Sequence, residues 1–77
     1  MSTEEKLIKE TKKWLRKAKK KRKKIKTCKN KDFLKNIDAY ISDTNHFLEN
    51  GEYIEAFEAI VWAWSWMEIL EELKYIE

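Results

Sequence analysis

Apolar residues recur every three or four positions in three segments of the chain, which is the spacing of the buried face of an amphipathic helix. These segments predict helices over residues 4–26, 31–49 and 52–76. Both connections between them are short, and short connections make consecutive helices antiparallel neighbours. The pattern therefore predicts an all-α protein, an up-down-up three-helix bundle, with residues 1–77 forming a single domain.

Residues that begin or end helices stand at the expected boundaries. Ser2 and Glu5 have the spacing of a capping box, in which a serine side chain accepts a free backbone N–H of the first turn. Asn30 is a candidate N-cap for the second helix. Asn50 and Gly51 follow the last periodic residue of that helix, and glycine adopts at little cost the left-handed conformation that ends many helices. These signals support the two breaks between helices.

The third predicted helix is apolar on more than one side, so we expect it to be the hub, contacted by both of the others. One set of its apolar residues has core spacing, and Trp64 of this set should pack in the core, as should Trp14 of the first helix. A second set lies on a different side: Trp62, Trp66, Ile69, Leu73 and Ile76. Exposed apolar strips of this kind mark protein contacts. The alternative is a third face of the bundle that is covered by long lysine stems.

The composition agrees with a helical protein and indicates its compartment. The chain has no Pro and one Gly, which favours helices over strands and turns. Cys28 is the single cysteine, and a lone thiol is typical of a reducing compartment. No secretory signal is evident, and the most apolar run, residues 59–67, is too short to span a bilayer. We therefore expect a cytoplasmic protein without a membrane span.

Charge divides the chain into two halves of opposite sign. Residues 1–35 contain sixteen Lys or Arg and four Asp or Glu, a net charge of +12. Residues 36–77 contain one Lys and ten Asp or Glu, a net charge of −9. Such a split can mark a basic segment that binds a polyanion, or two halves of one domain that attract each other.

The basic charge is concentrated at the end of the first helix. Seven pairs of like charge stand four residues apart between Lys12 and Lys26, and each destabilises a helix by about 0.2–0.5 kcal/mol. Because the first and third helices of the bundle should run parallel, this end is expected to face four glutamates. They are Glu68, Glu71, Glu72 and Glu77. The ten basic residues from Lys17 to Lys31 outnumber them, so the neutralisation should be incomplete.

We predict that the surplus positive charge binds a polyanion, because basic side chains neutralise phosphates and release counterions. Lys outnumbers Arg fifteen to two, and Lys acts as a point charge, so backbone contact with little sequence preference is expected. RNA is the leading candidate. Other polyanions, anionic membrane surfaces and a merely solvated charged face are the alternatives. The candidate residues are Lys17, Lys19, Lys20, Lys21, Arg22, Lys23, Lys24, Lys26, Lys29 and Lys31.

Aromatic residues that stack on bases are a common part of RNA recognition. The cluster of tryptophans stands on the third helix, far along the sequence from the lysines. We therefore do not expect aromatic side chains to contribute to the basic surface.

The chain lacks the residue patterns of the common catalytic and metal sites. It contains one His and one Cys, and it has neither a Gly-rich phosphate loop nor a Cys pair. Asp43 and His46 are three residues apart, which is the spacing found in one half of a carboxylate-bridged metal site. We expect them instead to be an exposed pair on a helix surface. We therefore predict a protein that is not an enzyme, that needs no cofactor or metal, and that has no evident small-molecule substrate.

Between Asp38 and Leu73 the chain carries a recognisable set of residues: Tyr40, Asp43, Phe47, Leu48, Glu49, Gly51, Glu52, Tyr53, Ala56, Phe57, Glu58, Ala63 and Trp66. In these residues it resembles the archaeal family known as domain of unknown function 357, and the segment ETKKWLRKA resembles the first helix of that family. Thr44, Trp62 and Ser65 depart from the family pattern, where Ala, Tyr and Gly are usual. The resemblance implies a small cytoplasmic helical bundle from an archaeon, and it implies no activity.

These features together predict a small interaction module that binds RNA or another polyanion through the basic C-terminal end of the first helix. The alternative is a protein–protein adaptor or a homodimeric scaffold that uses the Trp-rich face of the third helix and has no nucleic-acid role.

Overall fold

The computed structural model describes residues 2–77 and contains three helices. They are α1 (Thr3–Lys24), α2 (Lys31–Glu49) and α3 (Tyr53–Glu72). Contacts pair Trp14 with Trp64 and Lys21 with Glu71, so α1 and α3 run parallel. Phe33, near the start of α2, contacts Trp66 in the second half of α3, so those helices are antiparallel. The predicted up-down-up three-helix bundle is confirmed.

The third helix is the hub of the bundle, as its apolar pattern predicts. It packs against both α1 and α2, which touch each other much less. Its buried residues, among them Ile60, Ala63 and Met67, meet residues from both neighbours in one core. The core residues from the rest of the chain are Leu15, Ala18, Ile37, Ile41 and Ile76. Trp14 and Trp64, expected inside this core, are half-buried at its edge, with ring centroids 5.2 Å apart in an edge-to-face arrangement.

The predicted helix starts and the break between α2 and α3 are present. Ser2 Oγ accepts a hydrogen bond from the Glu5 N–H at 3.1 Å, and Asn30 Oδ1 accepts one from the Asp32 N–H at 2.9 Å. Gly51 has a φ of 74° after α2. The N–H groups of Gly51 and Glu52 bond back to carbonyls of α2, which is the Schellman arrangement that satisfies the last carbonyls of a helix.

Two helices end earlier than the sequence pattern predicts. The first ends at Lys24 rather than at residue 26, and α3 ends at Glu72 rather than at residue 76. The end of α3 is a second Schellman arrangement, with Lys74 in the left-handed conformation at a φ of 59°. Lysine gives no local signal for that conformation, so the spacing of the apolar residues predicted a helix that continues to residue 76.

The residues after α3 turn back to the connection between α1 and α2, and this contact explains both early ends. Cys28 and Ile76 form an isolated antiparallel bridge. The backbone N–H of Lys26 donates to the Glu77 carbonyl at 2.6 Å, and that of Lys29 donates to the Tyr75 carbonyl at 2.9 Å. These bonds replace helical bonds at the end of α1. We call this contact the tail–loop pairing, formed by residues 26–29 and 75–77.

Two polar residues lie fully inside the bundle, and both are satisfied locally. The Thr11 hydroxyl donates to the Leu7 carbonyl at 2.7 Å, and the Thr44 hydroxyl donates to the Tyr40 carbonyl at 2.8 Å. The chain therefore carries Thr44, where Ala is usual in the family it resembles, and this threonine leaves no unpaired polar group in the core. Within residues 2–77, no helix has the length and apolarity needed to cross a membrane.

Candidate polyanion-binding surface

The basic residues singled out in the sequence lie at one end of the molecule. Lys17 to Lys24 occupy the last two turns of α1, Lys26 and Lys29 lie in the connection, and Lys31 begins α2. The tail–loop pairing fixes the backbone of Lys26 and Lys29. We call this end, from Lys17 to Lys31, the basic end.

Two residues of the basic end are neutralised by carboxylates of the other helices. Lys21 Nζ lies 3.0 Å from Glu71 of α3. Arg22 makes a bidentate pair with Asp38 of α2, at 2.7 and 3.1 Å. The apolar stripe of α1 would continue at Lys21 and Arg22, and both side chains are half-buried. They therefore join α1 to α3 and to α2 where apolar contacts run out.

The expected neutralisation by the acidic end of α3 is present only in part. Of the four glutamates expected to face the basic end, Glu71 alone has a basic partner among residues 2–77. Glu68 instead accepts a hydrogen bond from Trp64 Nε1 at 2.8 Å. Asp38, which pairs with Arg22, lies on α2 and was not among the predicted partners, all of which follow Trp66 in the sequence.

Eight side chains of the basic end have no ion-pair partner in the described part of the chain. They are Lys17, Lys19, Lys20, Lys23, Lys24, Lys26, Lys29 and Lys31, and all are exposed. The surplus of positive charge inferred from the sequence is therefore a real surface feature. Lys35 was not among the predicted residues, yet it is exposed on the next turn of α2 and lines a groove together with Lys26 and Lys31.

Aromatic rings lie directly beside the lysines, contrary to the expectation from sequence distance. Lys21 Nζ is 5.2 Å from the centroid of the Trp64 ring, and Lys17 Nζ is 4.7 Å from that of Trp14. Because α1 and α3 run parallel, residues that are fifty positions apart in the sequence share one level of the bundle. At these distances the ammonium groups attract the faces of the rings.

A groove runs along this side of the basic end and has a volume of about 390 Å³. Lysines from four positions of α1 line it, together with Trp64, the apolar residues Ile25 and Ile76, and two glutamates. The four lysines are Lys17, Lys20, Lys21 and Lys24. The groove thus combines several ammonium groups with an apolar, partly aromatic floor.

The second predicted surface, on α3, is only partly as expected. Trp62, Ile69 and Leu73 are exposed, with 55%, 47% and 56% of their surface accessible. Trp66 is half-buried because its ring stacks on Phe33 of α2, with centroids 5.5 Å apart. Ile76 was wrongly assigned to this strip. The tail–loop pairing carries it into the core, where it is 8% exposed.

The residues considered for a metal site lie on the surface. Asp43 and His46 are exposed on α2, and His46 Nε2 shares a hydrogen bond of 3.0 Å with the Asn50 side chain. Across residues 2–77, no group of three or more His, Cys, Asp and Glu side chains is arranged to hold a metal ion.

Sequence comparison decides the family of this bundle. A family model described as "Protein of unknown function (DUF357)" matches residues 5–76. The chain belongs to this family. A comparison with curated proteins gave no significant match.

A solved structure of the DUF357 family has the same fold. It is the crystal structure of protein AF1782 from Archaeoglobus fulgidus, which superimposes on this chain with a TM-score of 0.92 and 45% sequence identity. The match covers 99% of this chain and 97% of that one. The resemblance and the three-helix fold inferred from the sequence are therefore confirmed, and the relative comes from an archaeon, as that resemblance implies. The family description assigns no activity.

Proposed function

We propose that this protein binds a polyanion through its basic end, that RNA is the leading candidate ligand, and that the protein acts by binding rather than as an enzyme. The observation that carries the proposal is the group of eight exposed basic side chains at one end of the bundle that have no ion-pair partner among residues 2–77. A phosphate backbone would replace the missing carboxylates and release its own counterions.

The groove adds a reason to favour nucleic acid over a simpler polyanion. Trp64 of α3 lines the groove together with lysines of α1, and a surface that mixes cations with an aromatic ring suits a ligand made of phosphates and bases. Lysines predominate at this surface, so contact with the backbone rather than with base edges is expected. We also propose the cytoplasm as its location, since the chain's lone thiol suits a reducing compartment.

The first test is the salt dependence of RNA binding. An oligouridylate is titrated into the protein at about 50 and about 200 mM salt, with filter retention and tryptophan fluorescence as readouts. If about six lysines contact phosphates, log K should fall with log salt at a slope near −4. Failure to bind at the lower salt would end this proposal. Displacement of the bound RNA by an equal amount of heparin would show that the site binds polyanions in general and has no preference for RNA.

The second test locates the site with paired charge reversals. Lys20→Glu with Lys24→Glu reverses two lysines of the groove, and Lys6→Glu with Lys9→Glu reverses two exposed lysines near the other end of α1. The groove variant should bind RNA at least about tenfold more weakly and with a shallower salt slope, while the control changes little. Equal weakening by both pairs would show that binding is spread over the whole helix.

The alternative function, protein contact through α3, involves different residues from the basic end. The two functions can therefore be tested separately and are compatible with each other.

A further inference from the structure

The face of α3 that points away from the core carries an apolar seam. Trp62, Trp66, Ile69 and Leu73 are spaced four, three and four residues apart, which is the spacing that helices use to pack along one another. The five exposed large apolar residues in residues 2–77 all lie on α3 or directly after it. We call Trp62, Trp66, Ile69 and Leu73 the outer seam.

One tryptophan of the outer seam is held in place before any partner arrives. The Trp66 ring stacks on Phe33 at an interplanar angle of 28°, so the seam leans against α2 on that side. Trp62, one turn earlier, is exposed over 55% of its surface. A fixed aromatic ring beside an accessible one is typical of the residues that dominate helix-binding interfaces, because little side-chain entropy remains to be lost.

The charged residues of α3 itself are all negative, and the nearest lysine along the chain is Lys74, directly after Leu73. Between Tyr53 and Glu72 the helix has five glutamates and neither Lys nor Arg. Glu71 and Glu68 are engaged on the α1 side, by Lys21 and by the Trp64 ring. The other three have no basic partner in the described chain.

Those three glutamates stand at helical spacings from the seam. Glu58 is four residues before Trp62, Glu55 is seven before it, and Glu72 is three after Ile69, so all three lie along the seam or beside it. The surface therefore combines an apolar stripe with unpaired carboxylates along its length.

We propose that the outer seam binds an amphipathic helix of a partner protein whose apolar stripe is flanked by Lys or Arg. Such a helix would bury the exposed tryptophan, isoleucine and leucine and would place its cations against Glu55, Glu58 and Glu72. This contact uses none of the residues of the basic end, so it goes beyond polyanion binding.

A second copy of this chain is a poorer occupant on the same grounds. Two outer seams packed together would bring the glutamates of α3 against one another, and each copy offers only Lys74, directly after the seam, against Glu55, Glu58 and Glu72. The basic helix α1 of another copy does not supply the missing partner, because every exposed large apolar residue in residues 2–77 lies beyond Tyr53.

The test uses synthetic helices as probes. One peptide, about three heptads long, carries Leu at the seam positions and Lys beside them. A second has the same leucines flanked by Glu, and a third has the composition of the first in scrambled order. Titration of each into the full chain, followed by tryptophan fluorescence and calorimetry, should show binding of the first peptide alone. Equal binding of the acidic or scrambled peptide, or no binding of any of them, would overturn the proposal.

Matched variants locate the contact. Ile69→Ala removes a seam isoleucine that is 47% exposed, whereas Ile54→Ala removes an isoleucine of α3 that is 63% exposed and lies eight residues before the seam begins. The first variant, and Trp62→Ala likewise, should weaken binding of the basic peptide at least about tenfold, and the second should leave it unchanged. Circular dichroism checks that each variant is folded.

Two further measurements separate the alternatives. Glu58→Gln combined with Glu72→Gln should reduce both the affinity for the basic peptide and its dependence on salt. Sedimentation of the protein alone should show a monomer. If the protein is instead a dimer that Ile69→Ala dissociates and Ile54→Ala does not, the proposal is wrong. The outer seam would then bind a second copy of the chain. Loss of RNA binding by the groove variant would leave all of these results unchanged.

Discussion

Two helix ends in this molecule use the same backbone arrangement with different residues. Gly51 after α2 and Lys74 after α3 both adopt the left-handed conformation, with φ values of 74° and 59°. Glycine adopts it freely, whereas a residue with a Cβ atom is destabilised by about 1–2 kcal/mol. The second position therefore carries strain that the first avoids.

The first prediction follows from this difference. Lys74→Gly should raise the free energy of unfolding by about 0.5–1 kcal/mol, because relief of the left-handed strain exceeds the added chain entropy. Urea denaturation followed by tryptophan fluorescence measures the change. Gly51→Ala is the control and should destabilise by about 1 kcal/mol, since its new methyl group would meet only the Tyr53 hydroxyl at 3.9 Å and the cost is one of φ alone. A loss of stability in Lys74→Gly would contradict the interpretation.

At the scale of the helix, α1 is unusual because its sequence opposes its own formation. Like charges stand four residues apart along its second half, and of the basic end only Lys21 and Arg22 have ion partners within the described chain. Surface pairs of this kind contribute about 0–1 kcal/mol each. Thr11, Leu15 and Ala18 pack α1 against the bundle, and beyond Ala18 the next positions of this stripe within the helix are occupied by Lys21 and Arg22.

The second prediction is a trade between stability and binding. Lys19 is exposed and lies within one helical turn of Arg16, Arg22 and Lys23. Lys19→Glu turns three repulsions into attractions and should stabilise the protein by about 0.5–1 kcal/mol at low salt, while RNA binding weakens. Lys19→Gln should fall between wild type and Lys19→Glu in both measurements. A stabilisation that persisted in about 1 M salt would rule out an electrostatic cause.

The helices and their starts are predictable from the sequence because their signals are local. Ser2, Asn30 and Gly51 act on backbone groups within three or four residues of themselves. The proximity of Trp64 to Lys21 could also have been predicted from the sequence, since the predicted up-down-up topology makes α1 and α3 parallel. The end of α3 was not predictable, because Lys74 has no propensity that announces its conformation.

At the scale of the whole molecule, the tail–loop pairing connects two parts of the chain that no local pattern relates. Ile76 has the spacing of the outer seam, and its burial depends on Cys28 and on the turn at Lys74. The lysines of the candidate polyanion-binding surface could be identified from the sequence. The groove beside them could not be, since it needs both the folded tail and Trp64.

The third prediction tests how far the pairing holds the basic end together. Ile76→Ala removes a core side chain and should destabilise the protein by about 2–4 kcal/mol. Amide hydrogen exchange should also accelerate at Lys26 and Lys29, whose N–H groups bond to the tail. Leu73→Ala is the control, because Leu73 is 56% exposed and its loss should change neither measurement much. Unchanged exchange at Lys26 would show that the loop is held by other contacts.

The tail–loop pairing joins an early part of the chain to a late one, so it forms only after both the basic and the acidic segments have been made. Synthesis proceeds from the N-terminus at about 5–20 residues per second, so α3 is completed about 2–7 seconds after the basic first half has been made. Pairing of residues 75–77 with residues 26–29 must wait until Glu77 has been made. During that interval the nascent protein is a polycation beside ribosomal RNA, with Glu71 and the tail still to come.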